Sequence, residues 1–183
     1  MSLEVLLTVS KYFTFLSSFA FVGLLLALSV LTLNNDGNLS ANSLALRRKA
    51  SLIGLIWFFS SFTYNIATLA DILGVRFTDA LDMTTVRSFV TQVIIGQYLF
   101  AQTLVAFFAG YLILRVKRVI PTLALLLISL VAIAAPALES HSASGGSHAL
   151  ATGSMLLHVA GLTLWAGGLF ALMFISPEDR KMA

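Results

Sequence analysis

Long runs of apolar residues constrain this chain more than any other feature of its sequence. Segments such as 12–33 contain no Asp, Glu, Lys or Arg, and they reach the ~20 residues that a helix needs to cross the hydrocarbon core of a bilayer. Charged residues make up 10% of the 183 positions, against roughly 25% in a soluble domain. Because lipid offers no partner to an unpaired backbone group, helices are the expected spanning elements. The chain is therefore predicted to be an all-α integral membrane bundle.

Five segments are long and apolar enough to span the bilayer. The short basic connection 115–118 predicts that the third and fourth spans form an antiparallel hairpin, and Pro121 falls in the first turn of the fourth span, where proline is tolerated. The polar segment 74–88 is predicted to form a short surface helix. The amino-terminal run is too long for a signal peptide and is predicted to be retained. The five spans, in one domain of residues 1–183, are about 12–33, 51–73, 89–114, 119–138 and 150–175.

The basic residues predict how the five spans are oriented. Eight of the eleven Lys and Arg residues lie on one side: three in 47–49, three in 115–118 and two at 180–181. The remaining three, Lys11, Arg76 and Arg87, lie on the other side. Since cytoplasmic loops carry the excess of basic residues, the amino terminus is predicted to be outside and the carboxyl terminus inside. The loop between the fourth and fifth spans is then external.

Composition and motifs exclude several classes of function. Cysteine is absent, which excludes disulfides, thiolate metal sites, iron–sulfur clusters and cysteine nucleophiles. We find no nucleotide-binding loop, HExxH motif or Ser-His-Asp order. The basic residues lie in short loops between spans, so no nucleic-acid partner is expected, and the lipid bilayer is the predicted surrounding. The chain is predicted not to be an enzyme.

All three histidines of the chain, His141, His148 and His158, lie within eighteen residues at the predicted outer side. Neutral imidazole is the commonest metal ligand, and His together with Met suits copper. We predict that at least two of the three share a copper ion. One helix running through both His148 and His158 would separate them by ~15 Å, so a site shared by these two needs His148 in the loop. A solvated loop for His141 and His148, and a packing role for His158, remain the alternatives.

Met155, His158, Leu162 and Trp165 form one stripe of the fifth span, at i, i+3, i+7 and i+10. Met155 is a candidate copper ligand and Trp165 a candidate residue beside the site. Packing in the core is the alternative for both. The same span has four glycines that permit close helix approach, namely Gly153, Gly161, Gly167 and Gly168.

Three polar residues on other spans could support this site. Asp71, near the outer end of the second span, is predicted to face the loop histidines as a candidate ligand, with helix capping as the alternative. Depth along the third span predicts that Gln97, in preference to Gln92, contacts His158 or a water beside it. Such a partner fixes which imidazole nitrogen is free for a metal. Hydrogen bonding between helices is the alternative for both glutamines.

Four short segments carry a family resemblance: Pro-Ala-Leu-Glu-Ser-His at 136–141, Ser-His-Ala-Leu-Ala-Thr at 147–152, Leu-His-Val-Ala at 157–160 and Leu-Trp-Ala-Gly-Gly-Leu at 164–169. Together they resemble the CopD family of copper-resistance membrane proteins, in which a helix-borne histidine is followed two turns later by a W-x-G-G-L pattern. The segment 70–74 is similar to the variant in which a CopD half is fused to a CtaG-like cytochrome oxidase assembly half. The resemblance implies a protein of the bacterial cytoplasmic membrane that binds copper externally for transfer or import.

Two other functions stay open at this point. The small size and the glycines of the fifth span also suit an accessory structural subunit of a larger membrane complex, such as a respiratory one. Its partners would be other membrane subunits, for example cytochrome oxidase or its assembly factors. A haem-binding membrane protein ranks third, because ligation by two histidines needs both at matched depth on facing helices, and only His158 lies inside a predicted span.

Overall fold

The computed structural model describes residues 2–31, 36–40, 43–139 and 148–174. Over these residues it contains six α-helices and one 3₁₀ turn at Asp79–Leu81. Five of the helices are long and apolar enough to cross a membrane, which confirms the predicted all-α bundle of five spans. The helices are α1 (Leu3–Leu31), α2 (Ser43–Leu73), α3 (Met83–Gln92), α4 (Ile94–Leu112), α5 (Val119–Glu139) and α6 (His148–Leu172).

Two helices begin well before their predicted spans. α1 begins at Leu3 and includes Lys11, and α2 begins at Ser43, ahead of the basic cluster 47–49. Hydropathy marks the part of a helix that lies in lipid, whereas backbone hydrogen bonding continues into the interface, where charged side chains are tolerated. The predicted starts at 12 and 51 concern the membrane spans, and the helices themselves begin earlier.

The predicted third span is not one continuous helix. It is divided at Val93, whose extended backbone (φ −109°, ψ 120°) separates α3 from α4. α3 begins in the polar segment 74–88, where the Asp82 carboxylate accepts a hydrogen bond from the Thr85 N–H at 2.9 Å. Gly96 permits the bend, because a Cβ at this position would overlap the carbonyl oxygen of Phe89. The short surface helix predicted over 74–88 is thus replaced by the 3₁₀ turn and by α3.

α1 is the central helix of the bundle. It packs against α2, α5 and α6, and its middle is fully enclosed, with Phe21, Val22, Leu24, Leu25 and Leu28 all at 0% exposure. Of the residues in an 18-residue apolar stretch of α1, 67% are buried, whereas 17% are buried in the equivalent stretch of α6. α6 is therefore the most peripheral of the five spans.

α1 and α6 cross where both backbones lack side chains. A Cβ added at Gly23 would overlap the carbonyl oxygen of Gly167, and one added at Gly167 would overlap the carbonyl oxygen of Phe19. Small residues let transmembrane helices approach closely enough to gain van der Waals contact. Gly167, which the sequence predicted to permit close helix approach, is in close contact with α1.

A second glycine pair joins α2 to α4. A Cβ at Gly54 would lie 2.7 Å from the Gly110 Cα, and seven residues away along each helix the hydroxyls of Ser61 and Thr103 are 2.9 Å apart. Both hydroxyls are buried, so their hydrogen bond leaves neither of them unpaired in the apolar interior. These contacts fix α2 and α4 as antiparallel neighbours.

The beginning of α2 meets the turn between α4 and α5. This turn is tied to the preceding loop by backbone hydrogen bonds from the Leu39 N–H to the Lys117 oxygen (2.9 Å) and from the Val119 N–H to the Gly37 oxygen (3.1 Å). Arg47, which is 9% exposed, donates from Nη1 to the carbonyl oxygens of Leu114 (3.3 Å) and Val116 (2.7 Å). α4 and α5 pack against each other, as the predicted hairpin requires.

Lys49 makes the corresponding contact with the end of α6. Its ammonium donates to the carbonyl oxygen of Phe174 at 3.2 Å and lies 5.6 Å from the centre of the Phe174 ring. Cations near helix carboxyl ends also interact favourably with the helix dipole. We call the end of the bundle formed by the start of α2, the α4–α5 turn and the end of α6 the basic face.

Replacing Gly23 by Val should destabilise the bundle, because the added Cβ overlaps the Gly167 carbonyl. Overpacking of this kind costs at least ~1–3 kcal/mol, measured as the free energy of unfolding by SDS titration of the purified protein. Gly161→Val is the matched control, since a Cβ at Gly161 meets no atom within 4 Å. Equal stability of the two variants would contradict the proposed crossing.

Replacing Arg47 by Met should also lower the free energy of unfolding, because the carbonyls of Leu114 and Val116 lose a charged donor. Hydrogen bonds to charged groups contribute about 1.5–3 kcal/mol. The exposed neighbour Arg48 provides the control, and Arg48→Met should leave the SDS midpoint nearly unchanged. A larger loss in Arg48→Met than in Arg47→Met would rule out this role for Arg47.

Candidate functional site

The opposite end of the bundle, which we call the histidine face, is formed by the end of α2, the end of α5 and the start of α6. α5 ends and α6 begins at this face. His141 lies outside the described residues, and so does the side chain of His148, whose backbone begins α6. The predicted contact of His141 with another histidine therefore stays a prediction.

The structure separates His148 from His158. Both belong to α6, which runs without a break from His148 to Leu172, and ten residues of α-helix span ~15 Å. The shared site predicted from sequence placed His148 in the loop, whereas the backbone of His148 is helical. The condition for a site shared by these two, His148 in the loop, is not met.

The predicted stripe of α6 faces away from the bundle. His158 is exposed, Met155 is half-buried, and Leu162 and Trp165 are 43% and 67% exposed. The alternative of core packing for Trp165 is therefore wrong. Met155 and His158, three residues apart, lie on one side of α6 and one turn from each other.

The helices that carry the two glutamines and His158 make their main contacts with other neighbours. α4 packs against α2, α3 and α5, whereas α6 packs against α1 and α5. Gln97 is exposed and donates from Nε2 to the carbonyl oxygen of Thr91 at 3.1 Å, which bridges the bend between α3 and α4. Gln92 is exposed at the end of α3, where it lines a pocket between α2 and α3. The predicted contact of Gln97 with His158 stays a prediction, because depth along a helix does not specify which helices are neighbours.

Asp71 occupies the depth that the sequence predicts. It is exposed and lies two residues before the end of α2 at Leu73. Its backbone oxygen accepts a hydrogen bond from the Gly74 N–H at 3.2 Å, and Gly74 has the positive φ of 66° that commonly ends a helix. Its predicted orientation toward the loop histidines stays a prediction.

Other carboxylates near this face are engaged locally. The Arg76 guanidinium donates to both carboxylate oxygens of Asp79, at 3.0 and 3.2 Å, and this hydrogen bonding lowers the pKa of Asp79. The pKa of Asp82 is also lowered, chiefly by the backbone N–H of Thr85. Both acids are thus held ionised by contacts that fix the 3₁₀ turn and the start of α3.

Within the described residues, no three His, Asp or Glu side chains are grouped as a metal site. Sequence reasoning also missed the contacts of Arg47 and Lys49 with neighbouring helix ends. The basic cluster 47–49 was interpreted as an orientation signal, and nothing in its pattern specifies which carbonyls it reaches.

Comparison with known families assigns the chain more directly. A family model described as Copper resistance protein D-like, N-terminal domain, matches residues 2–151. The matched region contains His141 and His148, whereas His158 and Trp165 lie beyond it. Searches of curated proteins and of solved structures gave no match. Because the family model covers most of the chain, this multi-pass membrane protein belongs to the copper resistance protein D-like family.

Proposed function

We propose that the protein binds copper at its histidine face and transfers or imports it. The observation that carries this proposal is the family match, whose range includes the loop with His141 and the first residue of α6, His148. A copper-resistance family implies contact with copper ions. Imidazole is the ligand type in this chain that best suits copper, and its three histidines lie within eighteen residues of the sequence.

The proposed route has two positions rather than one shared site. His141 and His148 first bind the ion at the end of the bundle. Met155 and His158, one helical turn apart on α6, then form a second position deeper along the same helix. A thioether and an imidazole suit Cu(I). Asp71, exposed at the end of α2, would add negative charge that attracts the cation to this face.

We propose that the histidine face is external and the basic face cytoplasmic. This proposal is supported by the eight of eleven basic residues assigned to one side by sequence. Six of the eight lie in described residues, at the start of α2 and in the α4–α5 turn. The amino terminus and the α5–α6 loop are then outside, where copper ions would first reach the protein. In this role the protein binds and transfers an ion and catalyses no reaction.

An accessory structural subunit remains the second candidate, and one observation favours it. α6 exposes Leu157 (76%), Trp165 (67%) and Met173 (79%), together with His158. An ionisable residue that faces lipid is costly unless another element covers it. A larger membrane complex, for example a respiratory one with cytochrome oxidase as partner, would cover this side. Haem ranks third, since the chain has no histidine outside 141–158 that a facing helix could supply.

The copper proposal predicts that the triple variant His141→Ala, His148→Ala, His158→Ala loses copper binding. The purified protein, carrying an affinity tag without histidine, is titrated anaerobically with Cu(I), and bound copper is measured by mass spectrometry. We expect His158→Ala alone to lose part of the bound copper, because the second position would fail while His141 and His148 remain. Met83→Leu is the matched control, since Met83 is a highly exposed methionine (78%) on α3.

Copper affinity unchanged in the triple variant would move the site elsewhere. Loss of copper in Met83→Leu to the same extent would indicate unspecific binding by thioethers. An absorption spectrum of the same sample distinguishes haem binding from copper binding, because a Soret band would favour haem.

The topology proposal predicts that a reporter protein that functions only in the cytoplasm is active when it is fused after residue 183. A periplasmic phosphatase fusion at the same position should be inactive, and the same phosphatase inserted in the loop 140–147 should be active. The opposite pattern would place the histidines in the cytoplasm and exclude external capture of copper.

A further inference from the structure

An apolar slot opens between α1 and α6 on the basic side of their glycine crossing. Its volume is about 310 Å³, near the lower end of the ~300–1,000 Å³ range of ligand pockets. Its lining is aliphatic or lacks a side chain, and it includes Gly23, Leu26, Ala27 and Val30 of α1 and Gly168 and Leu172 of α6. Val30 is 63% exposed, so the slot is open to the surroundings of the bundle.

The end of α6 just beyond this slot contacts a cation, Lys49. Phe174, whose carbonyl oxygen accepts a hydrogen bond from Lys49 at 3.2 Å, follows the lining residue Leu172 by two positions. Lys49 is exposed, and an ammonium has three donors, so it can bind a further acceptor. The next residue toward the amino terminus, Arg48, is also exposed.

We propose that this slot binds one anionic phospholipid, with an acyl chain against Gly23 and Gly168 and its phosphate group at Lys49. The slot is apolar along its length and positively charged at one end, and a phospholipid has the complementary distribution. Gly168 leaves room for the acyl chain, because a longer side chain at this position would extend toward Leu26 and into the slot. A Cβ at Gly168 would come within 3.9 Å of the Leu26 side chain across the slot.

The charge at the slot favours an anionic lipid over a zwitterionic one. Described residues of the basic face carry a strong excess of cations: Arg47, Arg48, Lys49, Arg115, Lys117 and Arg118, against Asp36. Basic residues near a membrane surface attract anionic lipids. A zwitterionic headgroup brings its own cation to this face and gains less from it.

The lipid would also stabilise the position of α6. Only 17% of the residues in the 18-residue apolar stretch of α6 are buried, and α6 packs against α1 and α5. An acyl chain in the slot would add apolar contact to both α1 and α6. This inference concerns the opposite end of the bundle from the proposed copper site and does not depend on copper binding.

The experiment measures lipid retention by native mass spectrometry of the intact protein. Protein in phosphatidylcholine nanodiscs is exchanged with increasing phosphatidylglycerol, and the affinity for the first retained phosphatidylglycerol is determined. Lys49→Gln should weaken it about fivefold, the effect expected of one basic residue near an anionic surface. Gly168→Leu should abolish retention by filling the slot. Inorganic phosphate at millimolar concentration should not compete, because the acyl chain supplies much of the binding.

Matched controls keep the result interpretable. Arg115→Gln removes a charge from the same face but on the end of α4, which does not line the slot, and Gly161→Leu adds the same side chain to α6 at an open position. Each variant is checked for native helix content before measurement. Similar affinities for Lys49→Gln and Arg115→Gln, or retention by Gly168→Leu equal to that of Gly161→Leu, would overturn the proposal. Competition by inorganic phosphate would also overturn it, because binding would then depend on the headgroup alone and not on the slot.

Discussion

The close crossing of α1 and α6 at Gly23 and Gly167 is the contact on which the arrangement of the bundle depends. Lipid is as apolar as a protein core, so spanning helices gain little from burying apolar surface and associate through close packing and hydrogen bonds. In this chain the two glycine pairs provide the close packing, and the bond between Ser61 and Thr103 provides a polar contact. α1 becomes the central helix because its partners α2, α5 and α6 all pack against it.

This arrangement determines what α6 can present. Gly167 faces α1, and the stripe with Met155, His158 and Trp165 consequently faces outward. The helix is fixed at its other end by Lys49, which contacts Phe174. Packing on one side and exposure on the other follow from the same rotation of α6 about its axis. The proposed second copper position therefore lies on an accessible surface rather than in the interior of the bundle.

The sequence predicts the five spans well, because a long apolar run is most simply explained by a helix that crosses the bilayer. It predicts their neighbours poorly. The predicted depths of Gln97 and His158 match, yet α4 packs mainly against α2, α3 and α5, and α6 against α1 and α5. An apolar residue pattern does not distinguish a lipid-facing side from a helix-facing side. The bend at Val93 was missed because valine gives no signal for it, and Gly96 was the one residue that could have suggested it. The extension of α2 to Ser43 was missed because the three cations at 47–49 lower the mean hydropathy of this segment. Arg47 nevertheless stabilises the segment by donating to carbonyl oxygens of the α4–α5 turn.

The central functional claim is that imidazole groups at the histidine face bind copper. X-ray absorption by the purified protein loaded with one equivalent of copper tests it most directly, because scattering from an imidazole ring identifies histidine ligands. The account predicts nitrogen neighbours at ~2 Å, near the value for metal-bound imidazole, with the outer-ring scattering of histidine. A spectrum with oxygen neighbours alone, or with sulfur and no imidazole scattering, would contradict it.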